Sequence, residues 1–295
     1  MIKVLLTGGL GNQMFQYAFA RNLSILNNTQ LVLNTSYLES KLPFKKWATP
    51  MQYELSIFDI KAIVEHNIIQ SKYLYPFAKS EYFLRNKMAI SKMNVITEQQ
   101  HDFNPVYLDA KDNTYVKGNF QSEKYFENIK EIIQNDFTFI NSLDELNQQL
   151  AIQITQCNSV SIHIRRGDYI SLKQNANKFA QIPLSYYNDA RTFIENQISN
   201  PTYFVFSDDI HWAKENLQLP PTTQFISHNN STSNSYKDMQ LMSMCKHHII
   251  CNSTFSWWAA WLNQNKEKIV IAPKNWFADV SINSKDIIPS QWIKL

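Results

Sequence analysis

An apolar run at Ile2–Leu6 opens the chain, followed by a glycine turn and then apolar residues at helical spacing from about Asn12 to Leu26. A short apolar block bounded by a turn predicts a buried strand, and the 3.6-residue period after it predicts a helix. TQLVLN at 29–34 predicts the next strand, which gives the β–α–β opening of an α/β fold. From 36 to 120 the pattern is less regular, with loops around Pro43, Pro50, Pro76 and Pro105 and a helix predicted over SEYFLRNKMAI at 80–90. TYVKGNF at 114–120 predicts a strand, and SEKYFENIKEIIQNDF at 122–137 a helix. A second alternation then begins. Helices are predicted over 142–154, 184–198, after Asp209, over 235–245 and over 255–264. Strands are predicted at 159–164, 202–206, 223–227, 247–251 and 268–273. Strands alternating with helices predict parallel sheets with ligands outside their carboxyl edges. Two α/β units follow, placed at 1–150 and 151–295, with the change of rhythm near 140 to 155. SHNNSTSNS at 227–235 reads as a polar loop.

Composition narrows the function classes. A chain of 295 residues suits two domains. Apolar content of 44% and an abundance of aromatics argue against disorder. A net charge of +3 gives no basic face for nucleic acid, so any anion site is local. Cys157, Cys245 and Cys251 fit neither a zinc site nor a disulfide framework, and a reducing, cytoplasmic setting is expected. The apolar run at Ile2 leaves no room for a signal peptide, and no stretch has the length of a membrane span. KLPFKKW at 41–47 reads as an exposed loop. Its lysines, Phe44 and Trp47 leave open a contact with an acceptor sugar or an anionic membrane surface.

Four segments could carry chemistry. Gly8, Gly9 and Gly11 take three of the chain's five glycines. They do not form a dinucleotide fingerprint: Met14 stands at the third glycine position, and Asn34 stands where an acidic residue would hold a ribose. Glycines there let another molecule approach the backbone closely. One reading is a tight strand-to-helix connection capped by Asn12. The other is a substrate-facing loop into which Asn12 and Gln13 point their amides. In SVSIHIRRGDY, Arg165 and Arg166 fall at the ligand-facing end of a strand, with His163 and Arg165 on the face opposite Ile162 and Ile164. Adjacent guanidinium groups need anions. Asp168 can compensate one and a pyrophosphate the other, since the guanidinium fork suits phosphate; an arginine–aspartate surface network is the alternative. In CNSTFSWWAAWLNQ, Asn252, Ser253 and Thr254 precede an aromatic helix. They serve as ordinary caps or as an anion site at the helix start, while Trp257, Trp258 and Trp261 are expected in the core. Of Asp208 and Asp209, one is expected to cap the next helix and the other to accept hydrogen bonds from a base or ribose. No D-x-D occurs, and the adjacent pair His247 and His248 is not a metal-ligand pair, so no metal is expected.

GGLGNQMFQYAFAR, HIRRGDY, FSDD and NSTFSWWAAWL, in this order, resemble the blocks of the bacterial α-1,2-fucosyltransferases of glycosyltransferase family 11. The resemblance runs from residue 2 to the ending DIIPSQWIKL but is faint between 36 and 115. It implies a GT-B-like architecture: two Rossmann-like domains with an interdomain cleft, acceptor side first, GDP-fucose side second, and room for a last helix to pack back on the first domain. It implies metal-independent, inverting transfer of fucose from GDP-fucose to a terminal β-galactoside of an oligosaccharide or lipid-linked glycan, in the cytoplasm with peripheral inner-membrane contact left open. Arg165, Asp168 and Asn12 would be catalytic. Arg165 would bind the donor's phosphates, and Asp168 would orient the arginines or the sugar, or act as the base. His163, Arg166 and Asp208 would hold the nucleotide, joined by Asn252, Ser253, Thr254 and Phe255 at the helix start and by Gly11 and Gln13 in the first domain. A transferase for another nucleotide sugar, a non-catalytic nucleotide-sugar or glycan binder and a nicotinamide oxidoreductase are the rival readings.

Overall fold

The computed structural model describes residues 1–39, 51–66, 92–167, 180–231, 234–279 and 281–295. The helix predicted at 80–90 and the loop at 41–47 lie outside them. The chain divides into two compact units, Met1–Ile140 and Asn141–Leu295. A cut at residue 150 would divide the helix Glu145–Gln156, which belongs whole to the second unit.

In the first unit, strand β1 (Ile2–Leu5) leads into helix α1 (Leu10–Leu26), strand β2 (Leu31–Asn34) and the short helix α2 (Ser36–Glu39). Strands β3 (Ile63–Glu65), β4 (Asn94–Thr97) and β5 (Thr114–Lys117) complete a parallel sheet of order β3-β2-β1-β5-β4. Ile2, Val4 and Leu33 are fully buried on one face, and Lys3 and Val32 on the other are each 6% exposed, as strands covered on both faces require. The predicted helix at 122–137 breaks into short 3-10 turns at Glu123–Tyr125 and Glu127–Ile129 before α3 (Lys130–Asp136). Tyr125, Phe126 and Ile129 anchor these turns in the core.

The second unit begins with α4 (Glu145–Gln156), started by the side chain of Asp144 accepting from the Asn147 N–H at 3.0 Å. It continues through β6 (Asn158–Ile164), α5 (Leu184–Gln197), β7 (Pro201–Ser207), α6 (Ile210–Asn216), β8 (Gln224–Ile226) and α7 (Tyr236–Met244). Then come β9 (His247–Ile249), α8 (Thr254–Leu262), β10 (Val270–Ala272) and β11 (Ile293–Lys294). The parallel sheet has the order β11-β10-β9-β6-β7-β8. Read from the other edge this is the Rossmann order: three strands run outward from β6 one way, and three from β9 the other. Val160, Ile162, Tyr203, Val205, Ile249 and Ile271 form the core with Tyr186, Ala190 and Ile194 of α5. The expected core tryptophans are buried, and Trp257 donates to the Ile287 carbonyl at 2.7 Å. After α8 the described residues hold no further helix; the chain ends as β11, paired with β10, where a last helix was expected. Both units are therefore parallel-sheet, Rossmann-like α/β units. Among the described residues no helix is long and apolar enough to cross a membrane.

Candidate active site

Ligands of doubly wound sheets bind where the strand order reverses. In the second unit that point lies between β6 and β9, which pair in parallel with Ile162 opposite Ile249. Carried three residues onward, this register sets Arg165 level with Asn252. The arginine pair and the Ser253 helix start, distant in sequence, therefore emerge side by side at one sheet edge.

Each arginine has a carboxylate partner, supplied by β7. Ile164 pairs with Ser207, so the residues that follow, Arg165 and Asp208, also meet, with Nε 3.2 Å from Oδ2. Asp208 further accepts the backbone N–H groups of Arg166 at 2.9 Å and Gly167 at 3.0 Å. Asp208, expected to accept hydrogen bonds from a base or ribose, thus also holds the arginine turn. Asp209 is the expected cap: it accepts from the Trp212 N–H at 3.2 Å and sits 3.4 Å from Arg166 Nε. The Arg166 guanidinium lies 3.7 Å from the centre of the Trp212 ring. Both guanidiniums are thus held by their Nε edges, in the manner of the arginine–aspartate network weighed as an alternative. Asp168 lies outside the described residues.

At the neighbouring strand end, Ser253 starts α8, its hydroxyl accepting from the Phe255 N–H at 3.4 Å. Thr254 and Phe255, both half-buried, form the first turn. The nine-residue helix directs its positive end to the arginine side of the sheet edge. Asn252 faces inward: its amide donates to the Ala180 carbonyl at 2.8 Å and the Trp276 carbonyl at 2.9 Å, bracing the loops around the edge. His163 is 7% exposed, and its Nδ1 lies 3.1 Å from Cys251 Sγ. Burial, aided by the Arg165 charge, pushes its pKa down to about 3, so the imidazole is neutral at physiological pH. Burial pushes the Cys251 thiol up to about 12.

The first unit has its own reversal point, between β1 and β5. Gly8 adopts φ +73°, and a Cβ there would strike the side chain of Asn12. The helix starts earlier than expected: Gly9 is the N-cap, without a side-chain cap bond, so Gly11 and Asn12 lie in the first turn and Asn12 is no cap. Asn12 is half-buried and accepts from Gln121 Nε2 at 2.9 Å. Gln13 does not point into a ligand space. It is fully buried and donates to the carbonyls of Gly8 at 2.9 Å and Gln52 at 2.8 Å, while its oxygen accepts from the Glu54 N–H at 3.0 Å.

Three contributors escaped sequence reasoning. Gln16 ties the two turns together, accepting from the Thr7 N–H at 2.9 Å and donating to the Gly118 carbonyl at 3.0 Å. Its only sequence signal was a second amide one helical turn after Gln13. Glu54 accepts from the Leu10 N–H at the start of α1, and burial holds its carboxyl above the usual range despite that bond. Cys251 carries no local sequence signal of its contact with His163.

The sequence profile of glycosyl transferase family 11 matches residues 1–295. The O-antigen biosynthesis glycosyltransferase WbnK of Escherichia coli is 34% identical, covering 98% of this chain and 99% of its own. An alpha-1,2-colitosyltransferase of Escherichia coli is also 34% identical, covering 98% of this chain and 97% of its own. Human galactoside alpha-(1,2)-fucosyltransferase 1 is 27% identical over 56% of this chain and 47% of its own length. With the match running end to end, and the arginine turn and the Ser253 helix start side by side at the strand reversal, the chain belongs to glycosyl transferase family 11.

Proposed function

We propose that this protein transfers L-fucose from GDP-β-L-fucose, with inversion, to the 2-hydroxyl of a terminal β-galactoside, forming an α-1,2 linkage without a metal ion. The acceptor is an oligosaccharide or lipid-linked glycan, in keeping with the O-antigen and galactoside names of its relatives. The observation that carries the reading is the convergence of Arg165, Arg166 and the α8 start at one strand reversal. As the bond from fucose C1 to the phosphate oxygen breaks, its electron pair moves onto the diphosphate. Fixed cations and a helix start aimed at that charge lower the barrier, each such donor being worth about 2.7–4 kcal/mol. The acceptor oxygen attacks C1 from the opposite face as its proton passes to Asp168, the base that the family resemblance implies, or to water. The α8 start and Arg165 take the role that a divalent ion plays in metal-dependent transferases. Turnover of GDP-fucose with a β-galactoside in EDTA, with the product linkage read by NMR, tests this. Full dependence on a divalent ion, or a linkage other than α-1,2, would overturn it.

A second reading is favoured by the colitosyltransferase relative. Colitose is L-fucose without its 3-hydroxyl, and a site that hydrogen-bonds that hydroxyl rejects the deoxy sugar by about 10⁴-fold or more. Comparing kcat/KM for GDP-fucose and GDP-colitose separates the two readings.

A further inference from the structure

We propose that Cys251 is a positioning residue that fixes His163 as the Nε2–H tautomer, so that a neutral imidazole donates a hydrogen bond to the diphosphate of the nucleotide sugar. This rests on the donor-binding reading above. The carrying observation is the 3.1 Å approach of Cys251 Sγ to His163 Nδ1, between residues at the adjacent ends of β6 and β9.

One proton lies between these two atoms, and its owner decides what the ring offers on its far edge. If Nδ1 held it, the ring would donate to sulfur, a weak acceptor, and Nε2 would present a lone pair. A lone pair facing an anion is repulsive. If the thiol holds it, the proton points at a good nitrogen acceptor and Nε2 carries a hydrogen. The surroundings favour the thiol. Cys251 is 1% exposed, where a thiolate is costly, and burial likewise opposes an imidazolium. The neighbouring hydroxyl is the poorer acceptor for the thiol proton: Ser256 Oγ lies 3.8 Å from the sulfur, against 3.1 Å for His163 Nδ1. The ring is held in place by Phe255, with centroids 5.7 Å apart, and its backbone carbonyl accepts from the Tyr187 hydroxyl at 3.3 Å. His248 offers a contrast one strand away. Its Nδ1 also meets a hydrogen-bonding side chain, Ser161 Oγ at 2.9 Å, but its Nε2 is buried without a partner.

The test uses the full chain with ¹⁵N-labelled histidine. The long-range ¹H–¹⁵N spectrum of the wild type is expected to show His163 with a bare Nδ1 and a protonated Nε2. Cys251→Ala is expected to mix the tautomers and raise the Kd for GDP about tenfold, the scale of one hydrogen bond to a charged group. Affinity for guanosine, which lacks the diphosphate, should not change. Cys251→Ser keeps an O–H donor and should restore GDP binding to within about threefold. A wild-type spectrum with Nδ1 protonated overturns the inference, whether or not the variants fold. So does a Cys251→Ala protein that binds GDP as the wild type does, or one that loses guanosine and GDP equally. If the wild type binds no GDP, the donor reading fails, while the spectrum still decides the tautomer.

Discussion

Arg165 is held in position by a carboxylate that does other work as well. Its Nε is paired with Asp208, but that side chain also accepts two backbone N–H groups. Removing the guanidinium therefore leaves the turn supported. The pair itself is partly solvated, with Arg165 35% exposed, so it contributes at most about 1 kcal/mol to folding. Arg165→Ala is thus expected to lower kcat/KM for the nucleotide sugar by about 10²–10³-fold while the variant still unfolds cooperatively in urea with a small loss of stability. Steady-state kinetics beside equilibrium unfolding checks both halves. A variant that keeps full activity would remove Arg165 from the site. The pair of arginines after an apolar strand was legible as an anion site because it is local in sequence. Its counter-ions were not legible. Asp208 and Asp209 reach it only through the β6–β7 register, and no spacing rule within HIRRGD could reveal that. For the same reason the inward turn of Gln13 and Asn252 was hidden, since what an amide bonds depends on carbonyls far away in the chain.

Among the elements, those with a long period were legible and those made by pairing were not. The strands β1, β2, β6 and β7 and the helices α1, α4 and α5 follow the hydrophobic pattern closely. The strands β3, β4 and β11 do not. They span two to four residues, β3 is mostly half-buried and β4 largely exposed, so partners rather than side-chain alternation hold them in place. The start of α1 moved because Gly9 itself serves as the cap, where the polar residue Asn12 drew attention. That helix also fastens the glycine turn. Gln16, fully buried, joins β1's turn to β5's through Thr7 and Gly118. Deleting its amide takes a partner from a half-buried N–H and a half-buried carbonyl, each loss costing about 1–3 kcal/mol at most. Gln16→Ala is therefore expected to destabilise the first unit by about 3 kcal/mol, seen as a lower urea midpoint at unchanged slope. Gln16→Glu should fall nearly as far, because a carboxylate accepts from Thr7 but cannot donate to Gly118.

At the scale of the whole molecule, stability depends on pH through buried groups that oppose one another. His163 and His248 are held neutral by burial, their pKa values far below that of an exposed histidine. The unfolded chain takes up protons at both as pH falls below about 6.5, so each removes about 1.4 kcal/mol of stability per pH unit there. Asp238 acts the other way. It is 8% exposed, burial raises its pKa to about 7, and the hydrogen bond from Asn229 at 2.8 Å only partly offsets that shift. Below pH 7 the folded state binds this proton more readily than the unfolded chain does. Asp238 therefore adds stability as pH falls toward the ordinary carboxylate value near 4, and costs stability above pH 7. It offsets the slope of one such histidine over pH 6.5 to 5. Asp238→Asn removes that offset while keeping an oxygen to accept from Asn229. The variant should be more stable than the wild type at pH 8, lose stability more steeply than it by about 1.4 kcal/mol per pH unit between pH 6.5 and 5, and meet the wild-type curve near pH 4. Urea midpoints measured across that range check the prediction. Parallel curves for the two proteins would mean that Asp238 keeps an ordinary carboxylate pKa in the folded state.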